Sequence, residues 1–373
     1  MKPLLPLQIG KHTVPYPIIQ GGMAVRVSGA NLVGAVANAG CIGTISTLGL
    51  GLTSPYFQSD TKYQKGRFFA ANRLALIDEL QKARAISPDG IIAVNVLVAM
   101  RDYADLARTA VEQGANMLIV GAGLPLDLPE YTANYPDVAL VPIISGVPAA
   151  RTICQQWERE YNRFPDAFIV GCPRTSGGHV GIKNFTAGDL ACSLEWLIPD
   201  LAEYLQSEFG LSIPIIGSGG VWNRADIDTM LEFGASGVQI GTRFILTDEC
   251  DADPRYKEFH LNASSEDVVI VPSPVGVPGR ALRNDFTEKA IAQSCNPAQR
   301  CIANCLNICE YRDHKETYCL IQALNRAARG DVETGLVFSG ARTDVPERIL
   351  PVADLVAELT STTNLSNFIP VFS

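Results

Sequence analysis

Eight short apolar runs recur along this chain, at residues 16–20, 42–45, 91–95, 117–120, 139–144, 167–170, 213–217 and 237–240. They alternate with helix-like stretches, for example 29–38, 74–85, 103–113, 148–161, 190–205 and 224–233. Several runs, such as Met117-Leu118-Ile119-Val120, are apolar without alternation, as expected of strands covered on both faces in a parallel sheet flanked by helices. Eight strand–helix units within about 240 residues is the count and length of a (β/α)₈ TIM barrel. An open doubly wound sheet is the alternative. Its dinucleotide fingerprint would extend Gly217-Ser218-Gly219-Gly220 with a glycine at 222, where the chain has Trp222.

The glycines supply the first sign that the loops of such a barrel carry chemistry here. In a barrel, functional groups sit on the loops leaving the C-terminal strand ends. Gln20-Gly21-Gly22-Met23 follows the first run, Asn95 ends the third, and a Ser176-Gly177-Gly178-His179 segment follows the sixth. Gly217-Ser218-Gly219-Gly220 and Gly241-Thr242 follow the seventh and eighth, where barrels commonly bind phosphate. Glycine lets backbone N–H groups approach an anion closely, and a helix starting near Arg224 adds the positive end of its dipole. His179 is the candidate acid–base residue, because imidazole titrates near neutrality. The cysteine nearby, Cys172, reads as a packed thiol.

These residues carry a family resemblance. The runs Pro17-Ile-Ile-Gln-Gly-Gly-Met-Ala24, Ala35-Val-Ala-Asn-Ala-Gly-Cys-Ile-Gly43, Ala93-Val-Asn95, Ser176-Gly-Gly-His-Val-Gly181, Gly217-Ser-Gly-Gly220 and Gly237-Val-Gln-Ile-Gly-Thr-Arg-Phe244 occur in an order that resembles the nitronate monooxygenase family, also called 2-nitropropane dioxygenase-like. That family includes flavin-dependent enoyl-acyl-carrier-protein reductases. The resemblance implies non-covalent FMN, with the backbone of Gly22 and Met23 facing the flavin ring and Asn95 bonding the ring or ribityl chain. Gly178 would support the turn carrying His179, and Gly217, Ser218, Gly219, Gly220, Gly241 and Thr242 would hold the phosphate end. The chain departs from the family at Thr175, where a glutamate is usual; a hydroxyl cannot steady a protonated imidazole as a carboxylate would.

Two chemistries fit this resemblance. Nitronate monooxygenase activity, the leading expectation, converts an alkyl nitronate and O₂ to a carbonyl compound and nitrite. The alternative uses NAD(P)H as co-substrate to reduce an enoyl thioester or a quinone. A third reading, from a different class, is a catalytically decayed flavin- or metal-binding sensor.

Residues 286–373 are expected to form a cysteine-rich helical extension, separate from the barrel and its cover segments at 1–285 and packed on the barrel or on the second subunit of a homodimer. Cys301, Cys305, Cys309 and Cys319 offer four thiols for an iron–sulfur cluster or zinc, yet a helix over the first three would place them in one stripe of small core residues. Two cover segments are also expected: an aromatic-rich stretch at 50–72 and an extended tract at 268–280 ending in Arg280, read as a solvated arginine. The partner is a small molecule. A formal charge of -9 disfavours nucleic acid and anionic membranes alike, and Pro3 and Pro6 break the apolar start of the chain, so a cytoplasmic protein with reduced cysteines is expected.

Overall fold

The computed structural model describes residues 2–57, 64–182, 193–295, 301–343 and 348–362. All eight expected strands form. Ile18–Gln20, Gly43–Ser46, Ile92–Leu97, Met117–Gly121, Ala139–Ile144, Phe168–Gly171, Ile215–Ser218 and Gly237–Ile240 pair in parallel around one sheet. Gln20 N–H donates to Ile42 O (2.9 Å) and Ile42 N–H to Ile18 O (3.0 Å), which closes the first strand onto the second and makes the sheet a barrel.

The absence of polar alternation in the strands has a direct structural meaning. Ile19, Ile119, Val141, Ile169 and Ile216 fill the barrel interior, while Leu118, Val120, Leu140, Phe168 and Val170 on intervening positions meet the outer helices. Both faces are thus removed from water, and apolar residues are favoured at nearly every position. A hairpin of Leu7–Ile9 and His12–Val14 adds Leu7, Ile9 and Val14 to the interior cluster.

Helix boundaries follow local chemistry. Arg224–Glu232 begins at Asn223, whose side chain accepts from Asp226 N–H (3.1 Å) in a reciprocal capping box. Leu194–Phe209 ends where Gly210 turns left-handed, four residues beyond the expected end, and starts at Ser193. The second helix, Gln64–Ile86, is much longer than the periodicity at 74–85 predicts. The C-terminal extension contributes the helices Leu320–Ala328 and Val352–Thr360. The latter packs against Ala30–Asn38 and Arg224–Glu232, so it completes the outer ring between the seventh and first helices. The C-terminal extension is consequently part of the barrel's own wall.

Candidate functional site

A cavity of about 640 Å³ opens at the C-terminal ends of the strands, and most of the expected site residues meet there. Gly22, Met23, Asn95, Gly178, His179, Ser218, Gly219, Gly220, Gly241 and Thr242 all line it. Gly217 does not. It faces outward, where an added Cβ would lie 3.0 Å from Met230 Sδ and 3.4 Å from Ile198, so its role is close strand–helix packing.

Gly219 and Gly22 are required by space. A Cβ on Gly219 would sit 2.7 Å from Ser176 Oγ and 2.8 Å from Thr175 Oγ1, and its φ of +112 is costly for any side chain. A Cβ on Gly22 would fall 2.6 Å from Asn95 Cβ. Backbone thus stands open to the cavity at both ends. Asn95 is held by its Nδ2, which donates to Ile119 O (3.0 Å). The Met23 N–H is already committed to Ser28 Oγ (2.8 Å).

The histidine loop is built by strands from a distant part of the chain. Gly178–His179 pairs antiparallel with Gly279–Leu282, which pairs in turn with Val268–Val271, forming a small sheet over the mouth. The tract at 268–280 therefore covers the site as expected. Arg280 corrects its expectation: it is buried, and its guanidinium donates to Pro173 O (3.0 Å) and to Ser176 O, stapling the loop that carries His179. Among the described residues, none of the aromatic stretch at 50–72 lines the cavity. Phe57 and Phe68 stack edge-to-face at 6.0 Å and pack into the core, while 58–63, which include Tyr63, lie outside the described residues.

His179 Nε2 lies 2.7 Å from Ser273 Oγ, and its ring meets Phe338 edge-on at 5.3 Å. Burial pushes the imidazole down to about 4, and no carboxylate offsets it; Thr175 Oγ1 is buried without a hydrogen-bond partner. The ring is neutral at pH 7. His260, by contrast, has both nitrogens beside carbonyls, Tyr256 O (3.1 Å) and Phe338 O (3.2 Å), and is a structural residue.

Cys172 is buried and outside the cavity lining, as expected of a packed thiol. The four C-terminal cysteines correct the metal expectation. Among the described residues no three His, Cys, Asp or Glu side chains are placed to hold a metal ion. Cys301, Cys305, Cys309 and Cys319 are free thiols; burial first, and then the nearby Cys319, Cys301 and Cys309, raise the pKa of Cys305. They pack into or against the main core. The chain over the first three cysteines is also not helical: Leu306 bridges Met100, with Arg101 N–H donating to Cys305 O (2.9 Å) and Asn307 N–H to Ala99 O (2.9 Å). This strand-like pairing puts Leu306 in the cavity wall.

Sequence reasoning missed Ser273, Gln239, Phe338, Ser339 and Arg342, all at or beside the cavity. Gln239 was within the quoted eighth-strand motif, where its inward position follows from strand alternation, and its Oε1 accepts from Ser218 Oγ (3.0 Å). The others come from far down the chain.

A barrel with glycine-built loops, two buried unpartnered hydroxyls and a neutral histidine at its mouth defines a class of small-molecule enzyme site. The chain belongs to the nitronate monooxygenase family, whose model matches residues 6–362, and it is an oxidoreductase. It is 25% identical to a probable nitronate monooxygenase of Staphylococcus saprophyticus, over 75% of this chain and 79% of that protein. It is 26% identical, over 74% of this chain and 65% of that protein, to a Mycobacterium tuberculosis protein named (3aS,4S,5R,7aS)-5-hydroxy-7a-methyl-1-oxo-octahydro-1H-indene-4-carboxyl-CoA dehydrogenase. In fold it is similar to FabK from Thermotoga maritima, with a TM-score of 0.68, 24% identity, and 93% and 92% of the two chains covered. It is likewise similar to nitroalkane oxidase from Streptomyces ansochromogenes, with a TM-score of 0.65, 18% identity, and 93% and 95% covered. Among the described residues no helix is long and apolar enough to cross a membrane.

The family implies FMN, and the residues fit it. Gly219 and Gly22 leave backbone open where a Cβ would clash, and the hydroxyls of Thr175 and Ser339 are buried without partners. A polar ligand with acceptor oxygens satisfies these groups.

Proposed function

We propose that the protein is an FMN-dependent nitronate monooxygenase, converting an alkyl nitronate and O₂ to a carbonyl compound and nitrite. Bound FMN supplies the redox centre, taking electrons from the organic substrate and passing them to oxygen. Gly219, Gly220, Gly241 and Thr242, which line the cavity, would hold its phosphate end, and Gly22 and Asn95 would border its ring system.

The observation that carries this reading is the position of His179, which lines the cavity with its ring held by Ser273. With a pKa near 4 it enters the reaction without a proton, so at neutral pH it is equipped to accept one and not to donate one. A neutral base beside the substrate can take the α-proton of a nitroalkane and so form the nitronate in place. Ser273 holds the ring through Nε2.

A second reading, NAD(P)H-dependent reduction of an enoyl thioester or quinone, is favoured by the size of the cavity and by its apolar wall of Leu97, Leu124, Val275, Leu306, Leu320 and Leu324. It requires a proton donor at the substrate, and burial disfavours the protonated form of His179 that would serve.

The test is nitrite release in air by the FMN-loaded protein, given either a neutral nitroalkane or its preformed nitronate. His179→Gln should lower kcat/KM for the nitroalkane by about 10²-fold or more and affect the nitronate much less. Equal losses on both would remove the base role, and no nitrite from either substrate would remove the monooxygenase reading.

A further inference from the structure

We infer that the C-terminal segment at 338–342 is the third wall of the phosphate cradle, in which the Ser339 hydroxyl and the Arg342 guanidinium bind the flavin phosphate and select FMN over riboflavin. This inference rests on the FMN reading above.

The segment is tied to both glycine loops. Gly340 N–H donates to Thr242 Oγ1 (2.9 Å), and Ala341 N–H to Thr175 O (3.1 Å). Since Thr242 Oγ1 is the acceptor in its bond, its own O–H is left to donate. A Cβ on Gly177 would lie 2.9 Å from Gly340 N, so the histidine loop and the C-terminal segment are in direct backbone contact.

Ser339 is 1% exposed, lines the cavity, and its Oγ has no hydrogen-bond partner. A buried hydroxyl left in that state is unfavourable, and a ligand oxygen beside it would relieve the cost. Arg342 is the one lysine or arginine lining the cavity among the described residues, and no aspartate or glutamate among them lines it. Arg243, although it follows Thr242, turns away to Glu358 (3.1 Å). Arg342 is therefore the one permanently charged side chain lining the cavity among the described residues.

That charge is placed by Asp226. Arg342 Nη1 donates to Asp226 Oδ1 (2.9 Å) and Oδ2 (2.7 Å), and Asp226 Oδ2 also accepts from Trp222 N–H (2.9 Å) and Asn223 N–H (3.0 Å). These two amides lie two and three residues beyond Gly220. Asp226 is fully buried, so the carboxylate locks the guanidinium onto the start of the helix Arg224–Glu232, beside the glycines expected to meet the phosphate. Guanidinium suits this task because its planar donor fork matches phosphate oxygens while also pairing with a carboxylate. Riboflavin has the same ring and ribityl chain and lacks the phosphate.

The test is titration of the flavin-depleted protein with FMN and with riboflavin, followed by quenching of flavin fluorescence. The unaltered protein should bind FMN at least about 10²-fold more tightly, as a set of charge-assisted hydrogen bonds implies. Ser339→Ala should weaken FMN by about 3–10-fold, leave riboflavin unchanged, and leave the melting temperature of the flavin-free protein the same or higher, since the hydroxyl it removes has no partner. The double variant Asp226→Asn/Arg342→Gln, which avoids stranding a buried charge, should weaken FMN by about 10–100-fold and bring it towards riboflavin. If the unaltered protein binds FMN and the variants keep its FMN-to-riboflavin ratio, the inference is overturned and the FMN reading stands. If the unaltered protein binds neither flavin, the FMN reading itself fails and the inference with it.

Discussion

His179 Nε2 and Ser273 Oγ stand 2.7 Å apart, joining a loop after the sixth barrel strand to the connection between the two cover strands, 94 residues later. The histidine is thereby fixed over the cavity by the segment that shields it from water, and that shielding is what lowers its pKa.

The activity profile should reflect this. With His179 acting as a base of pKa about 4, kcat/KM for a neutral nitroalkane should be level from about pH 5.5 upward and fall as acid protonates the ring. Ser273→Ala should lower kcat and move the acid limb, whereas a purely structural serine would leave the limb in place. Steady-state rates across pH 4–8 check both.

Stability should carry the same signature. Burial lowers both His179 and His260 to about 4, so the unfolded chain binds their protons first as pH falls through 6.5, and folding loses stability towards pH 4. Asp102 and Asp251, raised to about 6 chiefly by burial, act in the opposite direction: their contribution is greatest below the unfolded value of 3.8 and is lost as pH rises through 6. The two effects oppose each other between about pH 4 and 6. His179→Gln should therefore be less acid-sensitive than the unaltered protein over that range, as read by urea unfolding at several pH values.

The Asp226–Arg342 pair is buried on both sides, with side chains 0% and 7% exposed. Removing either partner alone should cost about 3–5 kcal/mol by stranding the other, and the double replacement much less than the sum. A double-mutant cycle from denaturant unfolding gives the coupling directly.

Gly219→Ala combines a φ of +112 with contacts of 2.7 and 2.8 Å to two hydroxyls. The expected cost is about 1–3 kcal/mol of stability, with a larger loss of FMN affinity because the new methyl intrudes on the cradle. Calorimetry and flavin titration separate the two effects.

The barrel was legible because parallel strands covered on both faces leave an unmistakable rhythm, and runs such as Met117-Leu118-Ile119-Val120 hold no polar residue to confuse it. The loops were legible in kind but not atom by atom. Gly217 and Gly219 look alike in sequence, yet the first lies within the strand Ile215–Ser218 and faces Met230, whereas the second lies past the strand end, where a φ of +112 turns the chain into the cavity lining. Arg280 resembled a surface residue because nothing local predicts the carbonyls of Pro173 and Ser176 that receive it. The cysteine spacing suggested either a metal centre or a helical stripe; the chain instead pairs Leu306 with Met100 and packs the thiols into or against the core. Ser339 and Arg342 were illegible for a similar reason, since the glycine loops they meet lie about a hundred residues away in the chain.

The most direct test of the central claim is an anaerobic absorbance titration of the FMN-loaded protein with an alkyl nitronate, and separately with NADH and NADPH. Reduction of the flavin by the nitronate alone, followed by nitrite release when air is admitted, is the predicted result. A flavin that stays oxidised with the nitronate and bleaches with a nicotinamide would contradict the account and establish the protein as a reductase.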